Sequence, residues 1–209
     1  GKRELKTVLS NLHGGFKGWN LDGAGLLAEQ FIIGREFTTL LVGSHHQPEQ
    51  IKFYQPIERV FHKGLPEKEQ FLSFERLWEA YEDEAPPPDN GFLYEYAPVI
   101  SCELVQELKE LSIDAFKAVK GMGYARLDFR LDKKTGKLFV LEINAQCGLS
   151  DDENYTSIGA ILRMSDKTFT DLIVEVLDDA LLRKAPVLNE IPIRKVAKRS
   201  TPALPRLRG

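Results

Sequence analysis

The sequence predicts an α+β fold in which antiparallel strands carry helices on their flanks. Three features point to it. Short runs rich in β-branched and aromatic residues, such as "EFTTLLVG", read as strands. Two long stretches, "SCELVQELKELSIDAFKAVKGMG" and "SDKTFTDLIVEVLDDALLRK", repeat their apolar residues with helical spacing. Between them, "YARLDFRLDKKTGKLFVLEIN" alternates about a short turn, as a hairpin does. Strand pairs joined this closely favour antiparallel pairing over a doubly wound parallel sheet.

Taken in chain order, "LLAEQFI" and "EFTTLLVG" are expected to pair antiparallel across "IGR". "IKFYQPIERV" adds a further strand, moved toward an edge by Pro56, which has no N–H to donate. Ser101 suits the N-cap of the first long helix. Leu104, Leu108, Leu111, Ala115 and Val119 follow its apolar face, and Gly121 or Gly123 stops it. The hairpin then runs through 124–131 and 138–144, with its turn near Thr135–Gly136. The last helix places Phe169, Leu172, Ile173, Val176, Leu177 and Ala180 on one face. No internal repeat is seen.

Composition is that of an ordinary globular protein: 209 residues, 43% hydrophobic, 28% charged, net charge −3. That suits one domain or two small ones. No apolar run approaches the roughly 18–20 residues of a membrane span, and "GKRELKTVLS" does not read as a signal peptide. Cys102 and Cys147 lack metal-ligand spacing and read as free thiols, which suggests a reducing, cytoplasmic setting. "WEAYEDE" and "APPPDN" mark a solvated face and a loop. The tail, residues 184–209, is basic and punctuated by proline. With no aromatic residue to stack on bases, it reads as a surface tail rather than a nucleic-acid contact. His45 and His46 suit a solvated turn better than a metal pair, since no third ligand accompanies them. His13 and His62 read as surface residues, and Trp19 and Trp78 as packing residues.

The hairpin carries the chemistry. Side chains alternate along a strand, so Arg126, Asp128 and Arg130 share one face, and Glu142 and Asn144 share one. A turn at Thr135–Gly136 places Asp128 opposite Glu142 and Arg126 opposite Asn144. Two facing carboxylates repel unless positive charge lies between them. Arg126 or Arg130 could supply it. Alternatively, two acids and an amide offer hard oxygen donors suited to Mg²⁺ that shares phosphate oxygens. Charge spacing leaves both readings open. On repulsion alone, neutralising either acid should stabilise the metal-free fold.

"GYARLDFRLDKKTGKLFVLEINAQCGL" resembles the C-terminal signature of the D-alanine–D-alanine ligases of the ATP-grasp superfamily, G-x-x-R-x-D-x-x-x-D, a turn, and E-x-N-x-x-P-G. "AEQFIIGREFTTLLVG" is similar to that family's nucleotide-binding segment, E-x-F-I-x-G-x-E-F. The likeness covers roughly residues 26–183. It implies an ATP-grasp-like fold and two cofactors, ATP and Mg²⁺. By this resemblance Asp128, Glu142 and Asn144 would hold Mg²⁺, and Arg126 would stabilise charge on the transferring phosphoryl group and on a later tetrahedral intermediate. Glu29, Phe31 and Ile32 would grip adenine, Glu36 the ribose, and the Gly148 N–H would serve an oxyanion. Thr156 and Ser157 are the candidates for the second substrate's carboxylate. The implied reaction joins a carboxylate, of an amino acid or similar small molecule, to an amine through an acyl phosphate.

The chain departs from the family pattern in several places. Cys147–Gly148 stands where the family has Pro-Gly, "LSDDENYTSIG" is longer and carries Asp151 and Asp152, and Leu77 beside Trp78 replaces a lysine, with Arg76 adjacent. Only 28 residues precede Glu29. "HGGFKGWNLDGAG", with Lys17, therefore reads as a connector rather than the family's phosphate loop. The expected organisation is a connector or partial element over 1–25, an ATP-grasp-like domain over 26–183 and the tail over 184–209, together resembling the C-terminal part of a ligase. A related ligase with another acid or amine, and a nucleotide-binding relative without turnover, are the rival readings. Partners are expected to be small molecules, with neither membrane nor nucleic acid, and a homodimer is left open.

Overall fold

The computed structural model describes residues 2–12, 15, 27–72, 92–145, 147–152 and 156–188. His13, Lys17 and Trp19 of the glycine-rich run, the Arg76–Trp78 stretch and the tail beyond residue 188 lie outside the described residues. The chain divides into two compact units, Gly1–Ile32 and Ile33–Gly209.

In the first unit, helix α1 spans Lys2–Leu12, so the expected N-terminal connector contains a regular element. Residues 27–32 follow without helix or strand.

In the second unit the order is β1 (Gly34–Ser44), β2 (Lys52–Phe53), β3 (Ile57–Phe61), β4 (Tyr94–Pro98), α2 (Cys102–Ala118), β5 (Met122–Asp132), β6 (Leu138–Asn144), α3 (Ser157–Met164) and α4 (Phe169–Leu188). The sheet runs β4-β3-β1-β5-β6, with β2 also on β1, and every pairing is antiparallel. Two expectations about its edges need correction. "LLAEQFI" is not a partner of β1, because β5 pairs along the whole of one edge of β1 and β2 and β3 take the other. Leu27, 84% exposed, and Phe31, 44% exposed, lie open to solvent, and among the described residues of that stretch Ile32 alone is buried. Pro56 lies between β2 and β3 rather than within a strand, and β3 is flanked by β1 and β4, not at the edge.

Alternation along β1 gives each sheet face its cover. Phe37 and Leu41 point with Ala125, Leu127 and Phe129 of β5 into a core closed by Leu108 and Phe116 of α2. Within that face the Ser112 hydroxyl donates to Leu108 O at 2.6 Å and lies 2.9 Å from Thr39 Oγ1. Leu40 and Val42 point the other way, onto Ile158, Ile161 and Leu162 of α3 and Leu172 of α4. The helices largely follow their sequence signals. The Ser101 hydroxyl accepts from Leu104 N and caps α2. Its fully buried seam is Leu108, Ser112 and Phe116, and Val119, expected on that face, is the exposed C-cap. The helix is closed by Lys120 at φ +55°, with Gly121 N bonded to Phe116 O and Lys120 N to Lys117 O, a Schellman arrangement one residue before the expected glycine. In α4, Leu172 is fully buried and Phe169 and Val176 pack beside it, but Leu177 is exposed.

The β5–β6 hairpin turns on Asp132, whose carboxylate accepts from Lys134 N at 3.0 Å and from the Thr135 hydroxyl at 2.7 Å. Gly136 takes φ +68°, a conformation that suits glycine. Beside the turn Leu131 pairs with Leu138 and Phe129 with Val140; farther along Asp128 pairs with Glu142 and Arg126 with Asn144. Leu141 is thus an extra residue, a bulge that resets the alternation of β6. Leu138 and Ile143, an odd number of positions apart, consequently both pack on the α2 side.

Candidate active site

The polar end of the sheet face opposite α2 is built by β1, β5 and β6. Glu36 and Thr38 of β1 stand beside Arg130 and Asp128 of β5, and β6 brings Glu142 and Asn144 beside Asp128 and Arg126. Strand geometry fixes where each side chain starts, and the contacts divide the residues into two clusters.

The first cluster is the hairpin set. Arg126 donates to Asp128 Oδ2 through Nη2 at 2.8 Å and Nε at 3.2 Å, and its Nη2 lies 3.6 Å from Glu142 Oε1. Asn144 Nδ2 donates to Glu142 Oε1 at 2.8 Å and to Asp128 Oδ2 at 3.3 Å. The guanidinium and the amide therefore sit between the two acids, as their repulsion requires. The other Asp128 oxygen, Oδ1, accepts the Thr38 hydroxyl at 2.8 Å. The Asp128 side chain is 13% exposed and that of Glu142 57%, so the set opens toward solvent on the Glu142 side.

The second cluster is buried. Glu36 accepts from Arg59 Nη1, and Arg130 Nη2 lies 3.3 Å from its other oxygen. Arg130 also donates to Gln70 O, and Arg59 stacks near Tyr94 and Tyr96 at 5.2 and 5.6 Å from the ring centres. Glu36, Arg59 and Arg130 are each no more than 9% exposed. Of the two arginines that could neutralise the hairpin acids, Arg126 does so and Arg130 serves Glu36. The carboxylate expected on a ribose is thus held by two guanidinium groups.

The remaining expected residues are placed as follows. Glu29 and Phe31 are exposed and Ile32 is buried, all within the N-terminal unit. Gly148 is exposed, and a Cβ built there would meet nothing within 4 Å. The Thr156 hydroxyl donates to Asp152 O at 2.8 Å and accepts from Gly159 N at 3.0 Å, capping α3. Ser157 is buried in the first turn of that helix. Cys147 packs with Ile158 and Leu40, and burial pushes its thiol up, against a smaller opposing pull from Arg126. The His45 ring lies 3.2 Å from Gly121 O. Among the described residues no three His, Cys, Asp or Glu side chains cluster as a metal site. The oxygen set is therefore two acids plus an amide, and the donor chemistry fits Mg²⁺ only with Asn144 turned to present Oδ1. Sequence reading missed Thr38 and Arg59. Threonine is unremarkable in a strand, and Arg59 gains importance only because β3 lies inside the sheet.

An antiparallel sheet with helices on both faces and an acid–arginine–amide hairpin at one end defines an α+β domain of the ATP-grasp class. The D-ala D-ala ligase C-terminus family matches residues 22–178, and the chain belongs to that family. The D-alanine–D-alanine ligase of Bartonella henselae is 28% identical over 74% of this chain and 43% of its own length. That of Xanthomonas axonopodis pv. citri is 27% identical over 77% of this chain and 42% of its own. This chain spans less than half the length of these curated relatives. Among solved structures, a Bacillus anthracis D-alanine–D-alanine ligase complexed with ATP aligns over 90% of this chain and 49% of its own, with TM-score 0.57 and 16% identity. The Coxiella burnetii enzyme aligns over 78% of this chain and 35% of its own, with TM-score 0.50 and 20% identity. At such identities the likeness is one of fold.

Proposed function

We propose that the chain carries the phosphate-handling face of an ATP-dependent carbon–nitrogen ligase that activates a carboxylate as an acyl phosphate and passes it to an amine. The observation that carries this reading is the hairpin register, which sets Asp128 opposite Glu142 with Arg126 and Asn144 on the same face. Asp128, Glu142 and Asn144 are the residues that would hold Mg²⁺, which when bound neutralises phosphate oxygens and keeps them in line. Arg126, which already bridges the acids, would move its guanidinium onto a transferring phosphoryl group. Gly148, where a Cβ would meet nothing within 4 Å, would offer its N–H to an oxyanion, as family likeness suggests. Glu29, Phe31 and Ile32 are proposed for adenine on family likeness, and the ATP-bound Bacillus anthracis relative supports ATP as the nucleotide. Glu36, each of whose oxygens meets one arginine, is proposed for the ribose on family likeness.

Three observations favour a ligase with another acid or amine over D-alanine itself. The Thr156 hydroxyl already uses its proton on Asp152 O and a lone pair on Gly159 N, Ser157 is buried, and Asp151 and Asp152 add negative charge nearby. A substrate carboxylate would be poorly received there.

The test is titration of residues 1–209 with ATP, with and without Mg²⁺, followed by phosphate release against a panel of amino acids. Mg²⁺-dependent binding that is lost in Asp128→Asn supports the reading. Binding indifferent to Mg²⁺, or unchanged in Asp128→Asn, overturns it.

A further inference from the structure

We propose that Thr38 is a positioning residue for the metal face, its hydroxyl locking the Asp128 carboxylate so that Oδ2 is the oxygen turned toward the hairpin. This rests on the reading of Asp128 as a Mg²⁺ ligand. Thr38 is 1% exposed on β1, a strand paired on both edges. Its register partner on β3 is Ile57 and on β5 is Asp128. A hydroxyl has one proton and a carboxylate only accepts, so the 2.8 Å contact directs that proton at Asp128 Oδ1.

The two oxygens of Asp128 are thereby given different tasks. Oδ2 meets Arg126 Nε and Nη2 and Asn144 Nδ2, all on side chains that must rearrange if a cation and phosphate enter. Oδ1 meets a stiff, β-branched residue rooted in the middle of the sheet. Thr38 is the anchor that keeps the carboxylate aimed while the other side changes. Groups that orient a metal ligand in this way typically account for about 10–100-fold in metal affinity. The adjacent Thr39 is an internal control. It is also fully buried, but its hydroxyl lies on the α2 side, 2.9 Å from Ser112 Oγ.

The experiment measures the affinity of residues 1–209 for a non-hydrolysable ATP analogue with and without Mg²⁺, and takes the ratio. Wild type should show a ratio above one, and Asp128→Asn a ratio near one. Thr38→Val, close in volume but without the hydroxyl, should lower the Mg²⁺-dependent gain roughly tenfold; Thr38→Ala serves if the valine variant does not fold. Thr38→Ser should retain the wild-type gain despite its smaller side chain, and Thr39→Val should leave it unchanged. Melting temperatures of all variants separate positioning from packing. A wild-type ratio of one overturns the reading of the site and this inference together. A normal gain in Thr38→Val and Thr38→Ala beside its loss in Asp128→Asn overturns the inference alone, as does a gain that follows stability rather than the presence of the Thr38 hydroxyl.

Discussion

Asp128 and Glu142 face each other across the β5–β6 ladder through a bulge at Leu141. Continued without it, the register beside the turn, Leu131 to Leu138, would set Leu141 opposite Asp128 and send Glu142 to the other sheet face. One extra residue therefore decides whether the two acids share a site. Bulges commonly re-aim a side chain in this manner next to functional positions.

Substituting either acid should remove Mg²⁺-dependent nucleotide binding, but the two should differ in stability. The structure reverses the sign expected from repulsion alone, because Arg126 and Asn144 already bridge the pair. Asp128→Asn weakens two charge-assisted bonds to Arg126 and should cost about 1–2 kcal/mol. Glu142→Gln, at an exposed side chain, should stay within about 0.5 kcal/mol. Urea unfolding of the metal-free variants checks both. A clear gain in stability from Asp128→Asn would mean that repulsion between the acids outweighs the bonds that bridge them.

The buried cluster should be far less tolerant. Glu36→Gln leaves the guanidinium groups of Arg59 and Arg130 facing each other without their shared anion, both at no more than 9% exposure. Removing one partner of a buried ion cluster typically costs about 3–5 kcal/mol. Chemical denaturation should show a loss of that order; a loss below about 1 kcal/mol, the ordinary worth of an exposed pair, would mean that water reaches the cluster.

The elements legible in the sequence are those specified by local rules. Ser101 before an amphipathic run marks the α2 cap, and "DKKTG" marks the turn. The facing of Asp128 and Glu142 was also legible, though by a symmetric count about the turn that did not contain the bulge. What was not legible depends on partners distant in the chain. "LLAEQFI" looks like a strand until both edges of β1 are found taken. Val119 and Leu177 fit helical spacing, yet Val119 falls at the C-cap of α2 and both stay exposed. Thr38 reveals a role only when β5 lays Asp128 beside it.

Gly121 sits where the α2 core leaves no room for a side chain. A Cβ there would lie 2.2 Å from the Phe116 ring, and that ring is 1% exposed within the core. A close-packed interior cannot move a ring aside without strain elsewhere. Gly121→Ala should therefore destabilise by about 1–3 kcal/mol, as overpacking does. Gly123→Ala meets nothing within 4 Å but sits at φ +89°, so its cost should come from backbone strain alone. Thermal melts of the pair, with Phe116→Leu added to each, separate the two causes: the second substitution should relieve Gly121→Ala and not Gly123→Ala.

Acid should loosen the joint between α4 and the sheet. Glu175 of α4 accepts the Tyr54 hydroxyl at 2.5 Å and lies 3.2 Å from Lys167 Nζ and 3.5 Å from Lys52 Nζ. Burial alone would raise its carboxyl, but the Tyr54 and Lys167 bonds and the lysine charges together hold it below the ordinary value of 4.5. A carboxylate depressed in the folded state contributes stability that is fully present above its unfolded pKa. That contribution is lost as pH falls through the folded pKa, because the unfolded chain takes up the proton first. Glu175→Gln should accordingly cost a constant amount of stability at neutral pH and progressively less below about pH 4.5. Unfolding free energies of wild type and variant measured from pH 7 downward check this. A gap between them that stays constant, or widens, as the solution is acidified would show that Glu175 holds α4 by packing and not by its charge.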